Sequence, residues 1–353
     1  MQLSFLFALI TVIPQAQPSS PNRQPQMAAV PGLTAVVFGS GNSIWISVSH
    51  DDARTFSLPS EIAQFPALAL GRHRGPRVAI SGKTILVTAI CGNRVATGPH
   101  AHGTPAEGDL VAWRSTDEGV HWSKPVMIND VAGSAREGLH SMIVGPTGEF
   151  AAVWLDLRSS RTQLYGAYSE DGVRWSKNEL LYQSPDGTIC QCCAPSIAPS
   201  DNDQFIVMFR NCLGGARDMY SIRWGPGTPT GTPEKLGVGS WQIAACPMDG
   251  GGIAHYAHTT ATAWRRDHSV YVDVPGQPEK AVGEGTDVAL ALAPTGPYVA
   301  WKGNSGIEVK TPDRQIPFQL SFTGSFPALT ALPGGAVLVA WEGNGPIELQ
   351  TIH

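Results

Sequence analysis

The chain reads as an all-β protein, a propeller of six or seven four-stranded blades, and three observations carry that reading. One turn motif recurs three times. A strand-turn-strand unit ending in an aromatic recurs along most of the sequence. Long stretches with the 3.6-residue apolar period of an amphipathic helix are absent.

The turn motif is clearest at Ser115-Thr116-Asp117-Glu118-Gly119-Val120-His121-Trp122 and returns at Ser169-Glu170-Asp171-Gly172-Val173-Arg174-Trp175. An earlier copy, Ser49-His50-Asp51-Asp52-Ala53-Arg54-Thr55-Phe56, has Ala53 and Phe56 at the glycine and tryptophan positions. Asp bonds its own backbone two residues on, a following Gly accepts positive φ, and the closing aromatic pins the turn to a sheet.

The longer unit ends at Ile90-Cys91-Gly92-Asn93, Trp154-Leu155-Asp156, Phe209-Arg210-Asn211, Trp264-Arg265-Arg266, Trp301-Lys302-Gly303-Asn304 and Trp341-Glu342-Gly343-Asn344. A weaker copy, Thr34–Phe38, precedes them. The spacing of roughly 40 to 60 residues is the period of a four-stranded blade. The C-terminal copy has room for three strands, so an N-terminal segment is expected to supply its fourth and close the ring. In such a ring the lead-in to each inner strand and the strand 2–3 connection share one face. The Ser-x-Asp turns then lie on the other.

Of 353 residues only 15% are charged, the net charge is -5, and Gly and Pro number 39 and 28. Many short strands with tight turns suit that composition, whereas nucleic-acid binding normally requires a basic face. Met1 to Ala16 is an apolar run too short to span a bilayer, and it reads as a signal peptide over residues 1–17. The expected organisation is therefore a signal peptide, a disordered leader over 18–26 rich in Pro, Ser, Asn and Gln, and one propeller domain over 27–353. The expected location is secreted or periplasmic, with no membrane span.

The turn motif resembles the Asp-box of sialidases and related BNR-repeat propellers. Arg74-Gly75-Pro76 looks like the R-I-P strand that opens the sialidase propeller, and Asp109-Leu110-Val111-Ala112-Trp113-Arg114-Ser115-Thr116-Asp117 is similar to the run leading into its first Asp-box. Ser325-Phe326-Pro327-Ala328-Leu329 through Trp341-Glu342 resembles its late hairpin. The resemblance favours six blades, while the landmark count favours seven. It implies an arginine cluster for a sugar carboxylate, a Tyr nucleophile pressed by a Glu, and an Asp as acid/base. Arg74 stands where the first arginine belongs, and Arg94, Arg210, Arg265 and Arg266 are candidates on the same face. The nucleophile position is Phe326, which cannot attack an anomeric carbon. The loop from Arg94 to Gly108 contains no Asp, leaving Glu107 and Asp109 as acid/base candidates, with Glu137 the best general-base candidate. Tyr256 is a distant substitute for the nucleophile.

A less usual feature is Cys190-Gln191-Cys192-Cys193, followed by Cys212 and Cys246. The repeat places these five cysteines on the ligand face, and Cys91 with them. An even number of cysteines in an exported chain reads as disulfides, Cys193 with Cys212 being one plausible bridge. It also reads as a thiolate site for copper or zinc, with Met248, His255 and His258 near in sequence, or as redox-active thiols. Adjacent Cys192 and Cys193 could share one ion only from a loop. His100 and His102 form an H-x-H pair in a Gly/Ala-rich loop, and His140 follows Glu137 closely. The functional expectation is a propeller binding a glycan or small anionic ligand on its arginine- and cysteine-bearing face. Glycoside hydrolysis, an exported metal-binding protein and a non-catalytic scaffold are the alternatives.

Overall fold

In a computed structural model, which describes residues 10–97, 104–228 and 230–353, seven sheets surround one channel. The chain begins with β1 (Thr11–Ile13), then builds blade one from β2 (Asn22–Val30), β3 (Leu33–Ser40), β4 (Ser43–Ser49) and β5 (Ser60–Gln64). In blade two, β6 (Ala67–Leu68) and β7 (Arg77–Ser81) both pair with β8 (Thr84–Gly92), and β9 (Asp109–Ser115) and β10 (Val126–Met127) follow. Blade three is β11 (His140–Val144), β12 (Phe150–Asp156), β13 (Gln163–Ser169) and β14 (Glu179–Tyr182). Blade four is β15 (Ser196–Pro199), β16 (Phe205–Arg210), β17 (Met219–Trp224) and β18 (Glu234–Lys235). Blade five is β19 (Gly252–Tyr256), β20 (Thr259–Arg266), β21 (Ser269–Asp273) and β22 (Lys280–Glu284). Blade six is β23 (Thr286–Ala293), β24 (Gly296–Gly303), β25 (Gly306–Lys310) and β26 (Phe318–Ser321). Blade seven takes β27 (Ser325–Ala331), β28 (Val337–Glu342) and β29 (Ile347–Ile352) from the C-terminal end, with β1 as its outer strand.

Seven blades agree with the landmark count rather than with the six favoured by resemblance. Closure is by an N-terminal strand, as the three-strand C-terminal copy requires: Thr11 pairs with Leu349, Val12 with Glu348 and Ile13 with Ile347. That strand falls inside the segment read as a signal peptide, of which residues 1–9 lie outside the described residues. The disordered leader expected over 18–26 does not form as such. Asn22 to Gln26 belong to β2, and the buried Asn22 amide donates to Pro14 O and accepts from Ala16 N, both at 2.9 Å. No helix among the described residues is long and apolar enough to cross a membrane.

Second strands show why the pattern was legible. Each lies between its own sheet partners and the faces of neighbouring blades, so β3, β12, β16 and β28 are buried at every residue. They therefore read as largely apolar runs, unlike the half-exposed fourth strands. The aromatics that close them, among them Trp154, Phe209, Trp264, Trp301 and Trp341, fill the gaps between blades. A Cβ added to Gly283 of blade five would lie 2.2 Å from Cζ2 of Trp301 in blade six. A glycine is the residue that lets this indole sit against the adjacent sheet.

The three Ser-x-Asp turns are each strand 3–4 connections, on the face opposite the inner-strand lead-ins. Asp117 Oδ1 accepts from Ser115 Oγ at 2.8 Å and His121 N at 2.9 Å, and Ser115 Oγ accepts from Gly119 N at 2.8 Å. The other two close in the same way through Asp51 and Asp171. Hydrogen bonds hold all three carboxyls far below the usual carboxylate range, led by the Thr55 hydroxyl at Asp51 and by the backbone amides of His121 and Arg174 at Asp117 and Asp171.

Candidate functional site

The central channel is a cavity of about 520 Å³ lined by the inner strands of all seven blades. Its mouth is shaped by one backbone device used three times. Strands β2, β23 and β27 each shift register by one residue near their start, between Arg23 and Gln26, Thr286 and Ala289, and Ser325 and Ala328. The first residue inside each shift is left-handed: Gln24 at φ 56, Asp287 at φ 60 and Phe326 at φ 51. Non-glycine residues adopt that conformation at a cost of about 1 kcal/mol or more, which the surrounding contacts must hold in place.

Those contacts converge on the mouth. Asp287 Oδ1 lies 2.8 Å from His73 Nε2 and 2.9 Å from Arg72 Nη2. Burial opposes the charge on Asp287, but His73 and Arg72 outweigh it and hold the carboxyl below its ordinary value. The Phe326 ring meets His73 edge-on at 5.8 Å and has the Arg72 guanidinium 6.0 Å from its centroid. Glu342 Oε1 accepts from Gln24 N at 2.7 Å and Gln24 Nε2 at 3.0 Å, with Arg23 Nε 3.6 Å from its other oxygen. Burial raises Glu342, the Gln24 amide offsets part of that rise, and nearby Asp287 adds to it.

Arg74 and Glu137 join this rim from the blade-two and blade-three lead-ins. The nearly enclosed Arg74 donates from Nε to Glu137 O at 2.7 Å and from Nη1 to Arg72 O at 3.3 Å. Burial raises the Glu137 carboxyl, and the charges of Arg74 and Arg136 bring it only part of the way back. A carboxyl held toward its neutral form by burial is a fit proton donor.

Other sequence candidates have different work. Arg210 is 1% exposed and fully engaged with backbone: Nε and Nη2 reach Asp249 O at 3.1 and 3.0 Å, Nη1 reaches Arg217 O at 2.6 Å, and Nη2 also reaches Arg265 O at 2.9 Å. Arg265 sits over Trp241, 5.1 Å from its centroid, and Arg266 is bound to Glu279. Arg94 pairs with Glu107 at 2.8 Å, both side chains about two-thirds exposed at 68% and 67%. Asp109 holds a loop, accepting from Asn129 Nδ2 at 2.8 Å and Gly133 N at 2.6 Å. The expected arginine cluster is therefore not assembled from Arg74, Arg94, Arg210 and Arg265, and Glu107 and Asp109 are not drawn to the mouth. Buried His140 bonds Thr88 Oγ1 at 3.1 Å between blades. His255 and His258 face Asp201 at the opposite end of β19, and Tyr256 lies beside them. His100 and His102 lie outside the described residues.

Cys190, Cys192 and Cys193 come together at the lead-in to β15. Their sulfurs are 3.5 Å apart for Cys190–Cys192, 3.2 Å for Cys190–Cys193 and 3.9 Å for Cys192–Cys193. The segment is a turn, which lets adjacent Cys192 and Cys193 point the same way while Gln191 faces solvent. All six cysteines are free thiols, so the Cys193–Cys212 bridge is not formed. Cys212 stays outside the triangle, beyond Arg217, while Cys246 is exposed and Cys91 buried elsewhere. Cys190 Sγ donates to Cys193 Sγ, and either sulfur can donate in the Cys190–Cys192 contact. These contacts lower the Cys190 pKa, and burial is the main cause that raises Cys193.

Arg72, His73, Asp287 and Glu342 escaped the sequence reading. A signal existed: aligning the repeats puts Asp287 in the column of Phe326 and Gln24, next to the register shift. Asp287 lacked a motif of its own.

No family model matches the chain, and no curated protein sequence matches it. Solved structures do match in shape. An α-L-arabinanase of Penicillium chrysogenum, solved with arabinobiose, superposes with a TM-score of 0.59 at 13% identity over 98% of both chains. The BP39L lectin of Burkholderia pseudomallei gives 0.59 at 14% identity over 93% of this chain and 98% of its own. The NanB sialidase of Streptococcus pneumoniae gives 0.57 at 10% identity, covering all of this chain (100%) and 71% of its own. The fold is a sialidase-like β-propeller.

Proposed function

We propose that the protein takes a glycan at the mouth of its central channel and hydrolyses a glycosidic bond there, with Glu137 as the proton donor. The observation that carries this reading is the chain of contacts from Glu137 O through Arg74 to Arg72 O, with the Arg72 side chain on Asp287. It ties the two acidic residues to the blade-two lead-in, and burial raises the Glu137 carboxyl. Glycoside hydrolysis needs one carboxyl kept protonated and another kept ionised, and Glu137 and Asp287 are shifted in those opposite directions. Phe326 gives the rim an apolar ring, and the partly exposed Arg72 and Arg23 supply donors for hydroxyl groups. The committed Arg210 and Arg265 leave no three-arginine clamp for a sugar carboxylate, so a neutral saccharide is favoured over a sialoside. Similarity of shape to an arabinanase makes pentose glycosides the first substrates to assay.

A second reading, a lectin without hydrolysis, draws on Phe326 standing at the expected nucleophile position. A glycan array combined with release of 4-methylumbelliferone from arabinosides, galactosides and sialosides separates the two. Binding with turnover abolished in Glu137→Gln supports hydrolysis, binding without turnover supports the lectin, and neither activity sinks both. We also propose export, resting on the apolar run from Met1 to Ala16, with Thr11–Ile13 retained as the outer strand of blade seven. Cell fractionation with N-terminal sequencing tests it, and a mature chain starting after Ile13 would overturn the retention.

A further inference from the structure

We propose that Cys190, Cys192 and Cys193 form a soft-metal site whose occupant is copper(I), with the Met248 thioether closing its fourth side. Three thiolates bound at about 2.3 Å around one ion stand about 4 Å from each other. The observed separations of 3.2 to 3.9 Å need only a small outward breathing to admit an ion. Among the described residues this is the one group of three such side chains whose ligand atoms lie within 4.8 Å of each other.

The surroundings fit a metal better than a disulfide. Three thiols cannot be consumed pairwise, and the turn that carries them is pinned by the Cys190 amide donating to Arg210 O at 3.0 Å. Gathering three thiolates requires positive charge nearby. Arg217 Nη1 lies 3.4 Å from Cys190 Sγ, and Arg74 and Arg210 are within electrostatic reach of Cys193. Those guanidinium groups offset the negative charge that remains when a monovalent ion binds three thiolates.

The identity of the ion follows from what the site lacks and what it adds. The triangle contains no imidazole or carboxylate, the harder partners that commonly complete zinc sites. Instead Met248 packs against the cysteine cluster from the blade-five lead-in. It is held there in a left-handed conformation, φ 54, with its carbonyl accepting from Arg72 Nε at 3.1 Å. Thiolate and thioether donors together select copper(I). This inference is independent of the glycan reading, because its ligands come from the blade-four and blade-five rims and none belongs to the proposed hydrolytic set.

The test uses the full chain, reduced and metal-free under anaerobic conditions, titrated with copper(I) against bathocuproine disulfonate. One equivalent retained per chain is expected. Retention should be lost in Cys193→Ser, weakened in Met248→Leu, and unchanged in Cys91→Ser, with thermal melts confirming that each variant is folded. X-ray absorption at the copper edge of the wild-type complex needs no variant and should show an all-sulfur shell. Failure of folded wild type to retain copper, undiminished retention by Cys193→Ser, a nitrogen or oxygen shell, or displacement of copper(I) by equimolar zinc(II) would each overturn the proposal.

Discussion

Nε2 of His73 stands 2.8 Å from Oδ1 of Asp287, the same oxygen that Arg72 reaches at 2.9 Å. One carboxylate from blade six thus anchors two consecutive side chains from blade two, and Phe326 of blade seven packs on both. Asp287→Ala leaves Arg72 and His73 facing each other without their shared partner. Because Arg72 is about one-third solvated at 32%, the expected cost is below that of a fully buried pair, about 1–3 kcal/mol. Chemical denaturation should show the loss, and glycan affinity should fall with it. Unchanged affinity in a folded variant would remove this cluster from the site.

Glu137→Gln is expected to lower turnover by about 10²–10⁴-fold while leaving glycan binding largely intact. Activity that depends on the protonated carboxyl is lost as pH rises through its pKa, which burial places above the ordinary glutamic acid value of 4.5. Arg74 favours the ionised form, so a folded Arg74→Met should shift that alkaline limb to higher pH. A pH–rate profile checks the direction, and a limb moving to lower pH contradicts the assignment.

The architecture was far more legible in the sequence than the site. Second strands such as β12 and β28 announce themselves because burial on both faces leaves no polar position before their closing Asp156 and Glu342, and Asp117 and Asp171 announce their turns through local hydrogen bonding. Both are properties of consecutive residues. The mouth is built differently: Arg72, Asp287 and Phe326 come from three blades, and Arg72 and Asp287 stand in no distinctive local pattern. Arg210 misled for a related reason. Its place at a strand end was read correctly, but the carbonyls of Asp249, Arg217 and Arg265 that occupy it come from separate parts of the chain. The cysteines lay between these cases, since spacing brought Cys190, Cys192 and Cys193 together while the repeat drew Cys212 and Cys246 too far inward.

His140 gives a pH signature of stability. Burial holds its pKa well below the ordinary 6.5, and the charge of Arg77 acts in the same direction. Below about 6.5 the unfolded chain takes up a proton that the folded chain refuses, so stability falls with falling pH by up to about 1.4 kcal/mol per unit. The loss continues down to the folded-state pKa. Urea midpoints measured from neutral to mildly acidic pH should decline less steeply in His140→Gln than in wild type. Parallel slopes would assign the acid sensitivity to other groups.

Deleting residues 1–17 removes β1, bares the outer edge of β29 and strips Ile13 from its core cluster. Burial of one isoleucine is worth about 1.5–3 kcal/mol, so a loss of at least that order is expected in denaturant unfolding. A truncated chain as stable as the full one would show that blade seven holds with three strands.

Gly283→Ala places a methyl group against the Trp301 indole between blades five and six. Overpacking of this kind typically costs about 1–3 kcal/mol. Thermal unfolding should register the loss, and no change would mean that the blades can part at this seam without penalty.

The pairing of Thr11–Ile13 with Ile347–Leu349 also sets an order of events during folding. Within each of the first six blades the strands are near neighbours in sequence, and hairpins between them close short loops. The last sheet instead joins segments from opposite ends of the polypeptide, a contact of nearly maximal sequence separation and therefore a slow one to form. Until it forms, β29 presents an unsatisfied edge to any other strand that reaches it first. In a crowded population of nascent chains, the kinetic competitor of ring closure is the β1 strand of another molecule.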